Sequence, residues 1–207
     1  MGKQADVHVK ILTAQSTDAL MDVYDDWAER YDDELLEEWG YTSPQMAITL
    51  LQRHLALDGL NVLDAGCGTG LVGELLTKAG VTQLSGIDYS KGMLSKAAEK
   101  GVYHSLAQVD LNKVVPIESD SFDAVTCIGT FTSTHVIPEA LRELVRLTRP
   151  DGVIVFTVRD DYWAATGFVD LLMEMHAQKR VHLEQIRIEP YIHSEGSECR
   201  FVVLRVC

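Results

Sequence analysis

The stretch that decides the fold is Val62-Leu63-Asp64-Ala65-Gly66-Cys67-Gly68-Thr69-Gly70, an apolar run that ends in an acid and then three glycines at alternate positions. Leu60 to Asp64 reads as a short strand, and about Gly70 to Lys78 reads as a helix, so the unit is strand, loop, helix. Glycine permits positive φ and leaves bare backbone where a ligand lies close. The helix that follows points its N-terminus at that ligand, which suits a carboxylate or a phosphate. A plain tight turn needs one glycine, not three, so the loop reads as a cradle.

Outward from the loop, apolar runs of strand length at Gln83 to Asp88, Tyr103 to Val109, Phe122 to Ile128 and Val153 to Val158 alternate with helical patterns. The helical stretches are about Lys91 to Lys100, Pro138 to Leu147 and Asp161 to Ala177. Alternation of this kind implies parallel strands joined by right-handed crossovers. Ile186 to Ile192 and Phe201 to Val206, joined by a Ser-Glu-Gly-Ser-Glu turn, read as a closing hairpin, which adds an antiparallel strand to the parallel sheet. Two helices lead the chain, one over Asp18 to Glu38 and one starting at Ser43-Pro44, an N-cap followed by proline at the first helical position. The expected architecture is an α/β Rossmann-like fold with a mostly parallel seven-stranded sheet flanked by helices. Residues 1–207 form one domain, in which 1–57 make a helical cap over the ligand site.

Eighteen residues beyond Gly70, the second strand ends in Asp88, where a carboxylate accepts hydrogen bonds from both hydroxyls of a ribose. Asp88 alone also suits a cap for the next helix; its spacing from the glycine loop favours the ribose. Tyr89 and Met93 are placed to pack on adenine, although Met93 equally suits a core position. Asp110, with Leu111, ends the third strand at the same sheet edge, within reach of an exocyclic amine. The fourth strand opens after Ile128 into Gly129-Thr130-Phe131-Thr132-Ser133-Thr134-His135, where ligands sit in open α/β sheets. Gly68, Gly70 and Gly73 also satisfy GxGxxG, which keeps a nicotinamide or flavin dinucleotide open. Against it, that frame starts two residues late, and Asp64 lies where a pyrophosphate would come close. An acid there suits a cationic, amino-bearing ligand.

Taken together, the Asp64 to Gly70 loop, Gly86-Ile87-Asp88, Asp110-Leu111 and Glu143-Leu144-Val145-Arg146-Leu147-Thr148-Arg149-Pro150-Asp151-Gly152 before a strand resemble the class I S-adenosylmethionine-dependent methyltransferases. The resemblance runs from about Tyr24 to Cys207 and implies S-adenosylmethionine as cofactor. It assigns the methionine moiety to Gly66, Gly68 and Gly70, the ribose to Asp88, the adenine to Asp110 and Leu111, and a lining position to Ile128. Tyr24-Asp25-Asp26-Trp27-Ala28-Glu29-Arg30-Tyr31-Asp32 resembles the N-terminal cap of such enzymes, whose tyrosines, here Tyr24 and Tyr31, close over the cofactor. With the glycine loop, it is similar to the methyltransferase-like proteins named for the Williams–Beuren chromosome region. Trp27 and Tyr31 also fit as core contacts of an amphipathic helix.

The implied reaction is transfer of a methyl group to a small-molecule or protein acceptor. An in-line displacement at a sulfonium needs little beyond alignment and exclusion of water. For a hydroxyl or protonated amine a base helps, and His135 is the candidate by position, against its reading as an ordinary surface or helix-entry histidine. Cys127-Ile128-Gly129-Thr130 stands where amino-methylating branches carry Asn/Asp-Pro-Pro-Tyr, which turns the reading away from a planar amine acceptor. The remaining alternatives are an inactive cofactor-binding partner protein and an NAD-dependent oxidoreductase.

Composition narrows the partners. With 31 acidic and 18 basic side chains the formal charge is −13, and that field repels polyanions, so no nucleic-acid partner is expected. No window approaches a membrane-spanning length of apolar residues, and no signal-like segment leads the chain, so a cytoplasmic location is expected. Cys67, Cys127, Cys199 and Cys207 show no CxxC pairing, and the histidines show no metal-ligand spacing, so neither a metal nor a cysteine nucleophile is assigned. Oligomeric state is left open.

Overall fold

Neighbouring residues of a strand point to opposite faces of a sheet, and Val62 and Leu63 accordingly belong to two different apolar clusters, both fully buried. A computed structural model describes residues 7–207 apart from 8, 12 and 133–135. Its strands are β1 (Asn61–Ala65), β2 (Gln83–Asp88), β3 (Ser105–Gln108), β4 (Phe122–Phe131), β5 (Thr148–Arg159), β6 (Val181–Ile192) and β7 (Ser197–Val206). They form one seven-stranded sheet in the order β3-β2-β1-β4-β5-β7-β6. The first five run parallel, and β7 lies antiparallel between β5 and β6.

Helices cover both faces. One cluster packs α1 (Thr17–Trp27), α2 (Ser43–His54) and α3 (Leu71–Lys78) on the sheet. The other packs α5 (Ala140–Leu147) and α7 (Phe168–Ala177) on the opposite side. Between them in chain order lie α4 (Lys91–Glu99) and α6 (Asp160–Ala165). The sheet order reverses at β1, whose neighbours are β2 and β4, and the carboxyl ends of these strands form the crevice in which such sheets take ligands.

Several elements depart from the sequence expectation: the helix expected over Asp161 to Ala177 is two, α6 and α7, and β5 starts at Thr148 rather than Val153. The leading helix expected over Asp18 to Glu38 stops at Trp27 and resumes as a short turn, Tyr31–Asp33, that runs into a π-helical turn, Glu34–Glu38. The break folds Trp27 inward, where its indole N–H donates to the buried Glu34 carboxylate at 2.6 Å and its ring lies 5.0 Å from Trp39. β3 starts at Ser105 rather than Tyr103, because the Tyr103 ring turns back beneath the glycine loop and its hydroxyl donates to Asp64 at 2.7 Å. β6 starts five residues before Ile186, at Val181, and pairs with β7 along its length.

Candidate active site

The loop after β1 is held by backbone bonds before any ligand is considered. Gly66 N–H and Cys67 N–H both donate to the Ile87 carbonyl, at 2.7 and 3.0 Å, and Gly70 N–H donates to the Cys67 carbonyl at 2.9 Å. Gly66, Gly68 and Gly70 have φ of 71°, 54° and 91°, the left-handed region that glycine enters without strain. The glycines differ in what a side chain would meet. A Cβ on Gly66 would run into the Thr130 hydroxyl, whereas one on Gly68 would meet nothing within 4 Å. Gly68 therefore offers bare backbone to an open cavity, while Gly66 lets β4 approach.

That cavity lies at the switch point between β1, β2 and β4. Gly66, Gly68, Asp88, Tyr89, Asp110, Leu111 and Ile128 line it from the strand ends and the loops after them, Met93 from α4, and Tyr24 and Tyr31 from the cap. Asp88 Oδ2 accepts from Gly68 N–H at 2.8 Å, and Oδ1 accepts from Ser90 N–H at 2.9 Å. Burial raises its pKa, and the N–H groups of Ser90, Gly68 and Tyr89 pull it back. An ionised carboxylate offers about four lone-pair positions, so these N–H groups leave accepting capacity for a ligand. Asp110 also lines the cavity, with Oδ1 accepting from Asn112 N–H at 3.0 Å and Oδ2 3.2 Å from Lys113 Nζ.

Asp64 and Gly70 stand behind the lining rather than in it. Asp64 is 1% exposed, accepts from Tyr103 and from the Thr126 hydroxyl at 3.0 Å, and is pushed up to about 6 by burial, against those two bonds. The Tyr103 ring occupies the space that a Cβ on Gly73 would need, and a Cβ on Gly86 would come within 2.9 Å of it. Gly73, the third glycine of the GxGxxG reading, thus makes room for a tyrosine and touches no ligand space. His135 lies outside the described residues. The buried thiols Cys67 and Cys127 are both pushed up by burial, the latter to about 12, so neither is poised as a thiolate. Among the described residues no cluster of histidine, cysteine and carboxylate side chains is arranged to hold a metal.

Several lining residues escaped the sequence reading: Thr17, Met21, Ser90, Asn112 and Val136. For two of them a signal existed. Thr17, Met21 and Tyr24 fall at i, i+4 and i+7 on α1, one face of a helix.

A family model described as a methyltransferase domain matches residues 63–156, from within β1 into β5. Human Methyltransferase-like protein 27 is 36% identical over 143 residues, covering 66% of this chain and 56% of that protein. Over residues 63–156 the chain carries a methyltransferase domain of the class I, S-adenosylmethionine-dependent kind. A ubiquinone biosynthesis O-methyltransferase from Methylococcus capsulatus is 29% identical over 116 residues, which cover 54% of this chain and 48% of that enzyme. The chain spans about half the length of these curated relatives. Among solved structures, the [4+2]-cyclase SpnF superposes with a TM-score of 0.72 at 17% identity over 93% of this chain and 97% of its own, a likeness of fold.

The cofactor of this family, S-adenosylmethionine, fits the residues present. The described lining carries the carboxylates Asp88 and Asp110 and no lysine, arginine or histidine, a negative field for a sulfonium and an ammonium. The pyrophosphate of a dinucleotide would meet that same field as repulsion.

Proposed function

We propose that the chain is an active methyltransferase acting on a small-molecule or protein acceptor. The observation that carries the reading is Asp88, a half-buried carboxylate with spare accepting capacity set between the bare backbone of Gly68 and the two cap tyrosines. In this reading Gly66, Gly68 and Gly70 shape the loop for the methionine moiety, Asp88 takes the ribose hydroxyls, and Tyr89, Met93, Asp110 and Leu111 surround the adenine. Ile128 lines the passage towards the acceptor, and Tyr24 and Tyr31 exclude water from above. When bound, S-adenosylmethionine supplies a methyl group on a sulfonium, open to in-line displacement.

Little covalent chemistry falls to the protein, which aligns the reactants and dries the site. Asp64 contributes from beneath the loop as part of its foundation. His135 is the proposed base for a hydroxyl acceptor. The ubiquinone biosynthesis relative is named an O-methyltransferase, so oxygen acceptors are the first to screen. The likeness to a cyclase is a reminder that this fold hosts other chemistry. Support for methyl transfer therefore comes from the cavity and the sequence relatives, not from the fold.

The test is calorimetric titration with S-adenosylmethionine, S-adenosylhomocysteine and NAD. Saturable binding of the first two and not the third is expected. NAD binding alone would overturn the class, and binding of none would favour an inactive scaffold.

A further inference from the structure

The cap carries the dipeptide Tyr-Asp twice, at Tyr24-Asp25 and Tyr31-Asp32, seven residues apart. In both pairs the tyrosine lines the cavity, and in both the aspartate reaches a hydroxyl on the loops that build the cavity floor. Asp25 Oδ1 accepts from the Ser90 hydroxyl and, at 2.8 Å, from Gly92 N–H at the start of α4. Gly92 is bare on that side, since a Cβ there would lie 2.8 Å from the Asp25 Cα, so the backbones of α1 and α4 are in contact. Asp32 Oδ1 accepts from the Thr69 hydroxyl, and its Oδ2 accepts from Lys100 Nζ at 2.7 Å.

The two hydroxyl partners sit at the cofactor residues themselves. Ser90 gives its backbone N–H to Asp88, and Thr69 lies between Gly68 and Gly70. Both are buried, at 1% and 2% exposure, so each offers its hydroxyl to one fixed partner. Asp25 also meets the positive end of α4, which favours an anion there. The cap makes a third polar tie, Glu29 to Lys96 at 2.8 Å, but Glu29 is 73% exposed and such a pair contributes little.

We propose that Asp25 and Asp32 are twin latches, positioning residues that hold the cap shut so that Tyr24 and Tyr31 stay over the bound cofactor. Cofactor leaves only when both latches release. This rests on the cofactor reading above, and its test separates the two. Dissociation of S-adenosylhomocysteine is followed by rapid mixing in the wild type, Asp25→Ala, Asp32→Ala and the double variant. In parallel, cleavage by trypsin at Arg30, on the exposed link between the two latches, is timed without cofactor.

Each single alanine should speed dissociation about tenfold, the loss of roughly one charge-assisted hydrogen bond, and the double about a hundredfold, with association quickened as well because the same latches hold the empty cap. Asp25→Asn keeps an acceptor for Ser90 and Gly92 and should return dissociation to within about twofold. Cleavage at Arg30 should quicken in the same order. Loss of a residue that merely stabilises the domain would lower the melting temperature without speeding both rates and the cleavage together. Wild-type dissociation and cleavage in the double variant would overturn the latches. If the wild type binds no cofactor, the cofactor reading falls, and the cleavage rates alone decide whether the aspartates pin the cap.

Discussion

The glycine loop and the N-terminal cap face each other across one cavity, and they are held in place by different physics. The loop is fixed through backbone: two N–H groups on one carbonyl, positive φ at three glycines, and a buried acid at its root. The cap is fixed through side chains. Trp27 lies 4.6 Å from Tyr31 and 5.0 Å from Trp39, Glu34 ties the Trp27 indole to Arg30, and Asp25 and Asp32 reach across to the other wall. A wall made of backbone can hold a ligand by directed bonds at fixed positions. A wall made of exchangeable side-chain contacts can cover it and let it go.

If that division is right, the largest loss follows from removing the acceptor on the backbone-built side. Asp88→Ala deletes the carboxylate offered to two ribose hydroxyls. Hydrogen bonds to a charged group contribute about 1.5–3 kcal/mol each, so the affinity for S-adenosylmethionine should fall by about a hundredfold or more. Without cofactor the melting temperature should stay within a few degrees, because the Gly68 and Ser90 N–H groups freed by the change border a cavity that water can enter. Calorimetry and a thermal melt check both, and affinity within threefold of wild type would remove Asp88 from the ribose.

The same division explains what could be read from sequence. Asp64 to Gly70 and Asp88 were legible because backbone demands leave local marks: positive φ selects glycine, and a strand end followed by an acid has a fixed spacing. The sheet followed from alternating periodicity, down to the antiparallel β7. The cap was only half legible. Tyr24 and Tyr31 were found through resemblance, but Asp25 and Asp32 look like any acids on an acidic helix until Ser90 and Thr69, 65 and 37 residues away, are brought against them. Gly73 was misleading in the opposite sense, a motif position whose reason is the distant ring of Tyr103. Long-range side-chain pairing leaves no period and no spacing in a single sequence.

A smaller effect probes the root of the loop. Burial raises Asp64 from 3.8 to about 6, so the native state binds its proton more tightly than the unfolded chain does. The stability this gives is fully present below about pH 4 and is lost as pH rises through about 6. The change amounts to on the order of 3 kcal/mol at most. Asp64→Asn cannot titrate yet keeps an acceptor for Thr126 or Tyr103, so its stability relative to wild type should climb between pH 4 and pH 7. Denaturant unfolding at three pH values measures this. A difference that stays flat would mean that Tyr103 and Thr126 hold Asp64 ionised throughout, with the loop seated on a charge.

The smallest effect should come from the cap, where the division is sharpest. Tyr31 meets Trp27 edge-on and lines the cavity with its ring, and burial holds its phenol neutral by pushing the pKa far upward. Tyr31→Phe keeps the ring, the packing and the covered area, and removes no charge. If the cap works by coverage, cofactor affinity should change by less than about threefold, a fraction of the typical ~1 kcal/mol of one neutral hydrogen bond. A tenfold loss would mean that the hydroxyl makes a directed bond of its own to the cofactor. The cap would then hold the ligand in the same way as the glycine loop, and the contrast between the two walls would reduce to one of sequence distance.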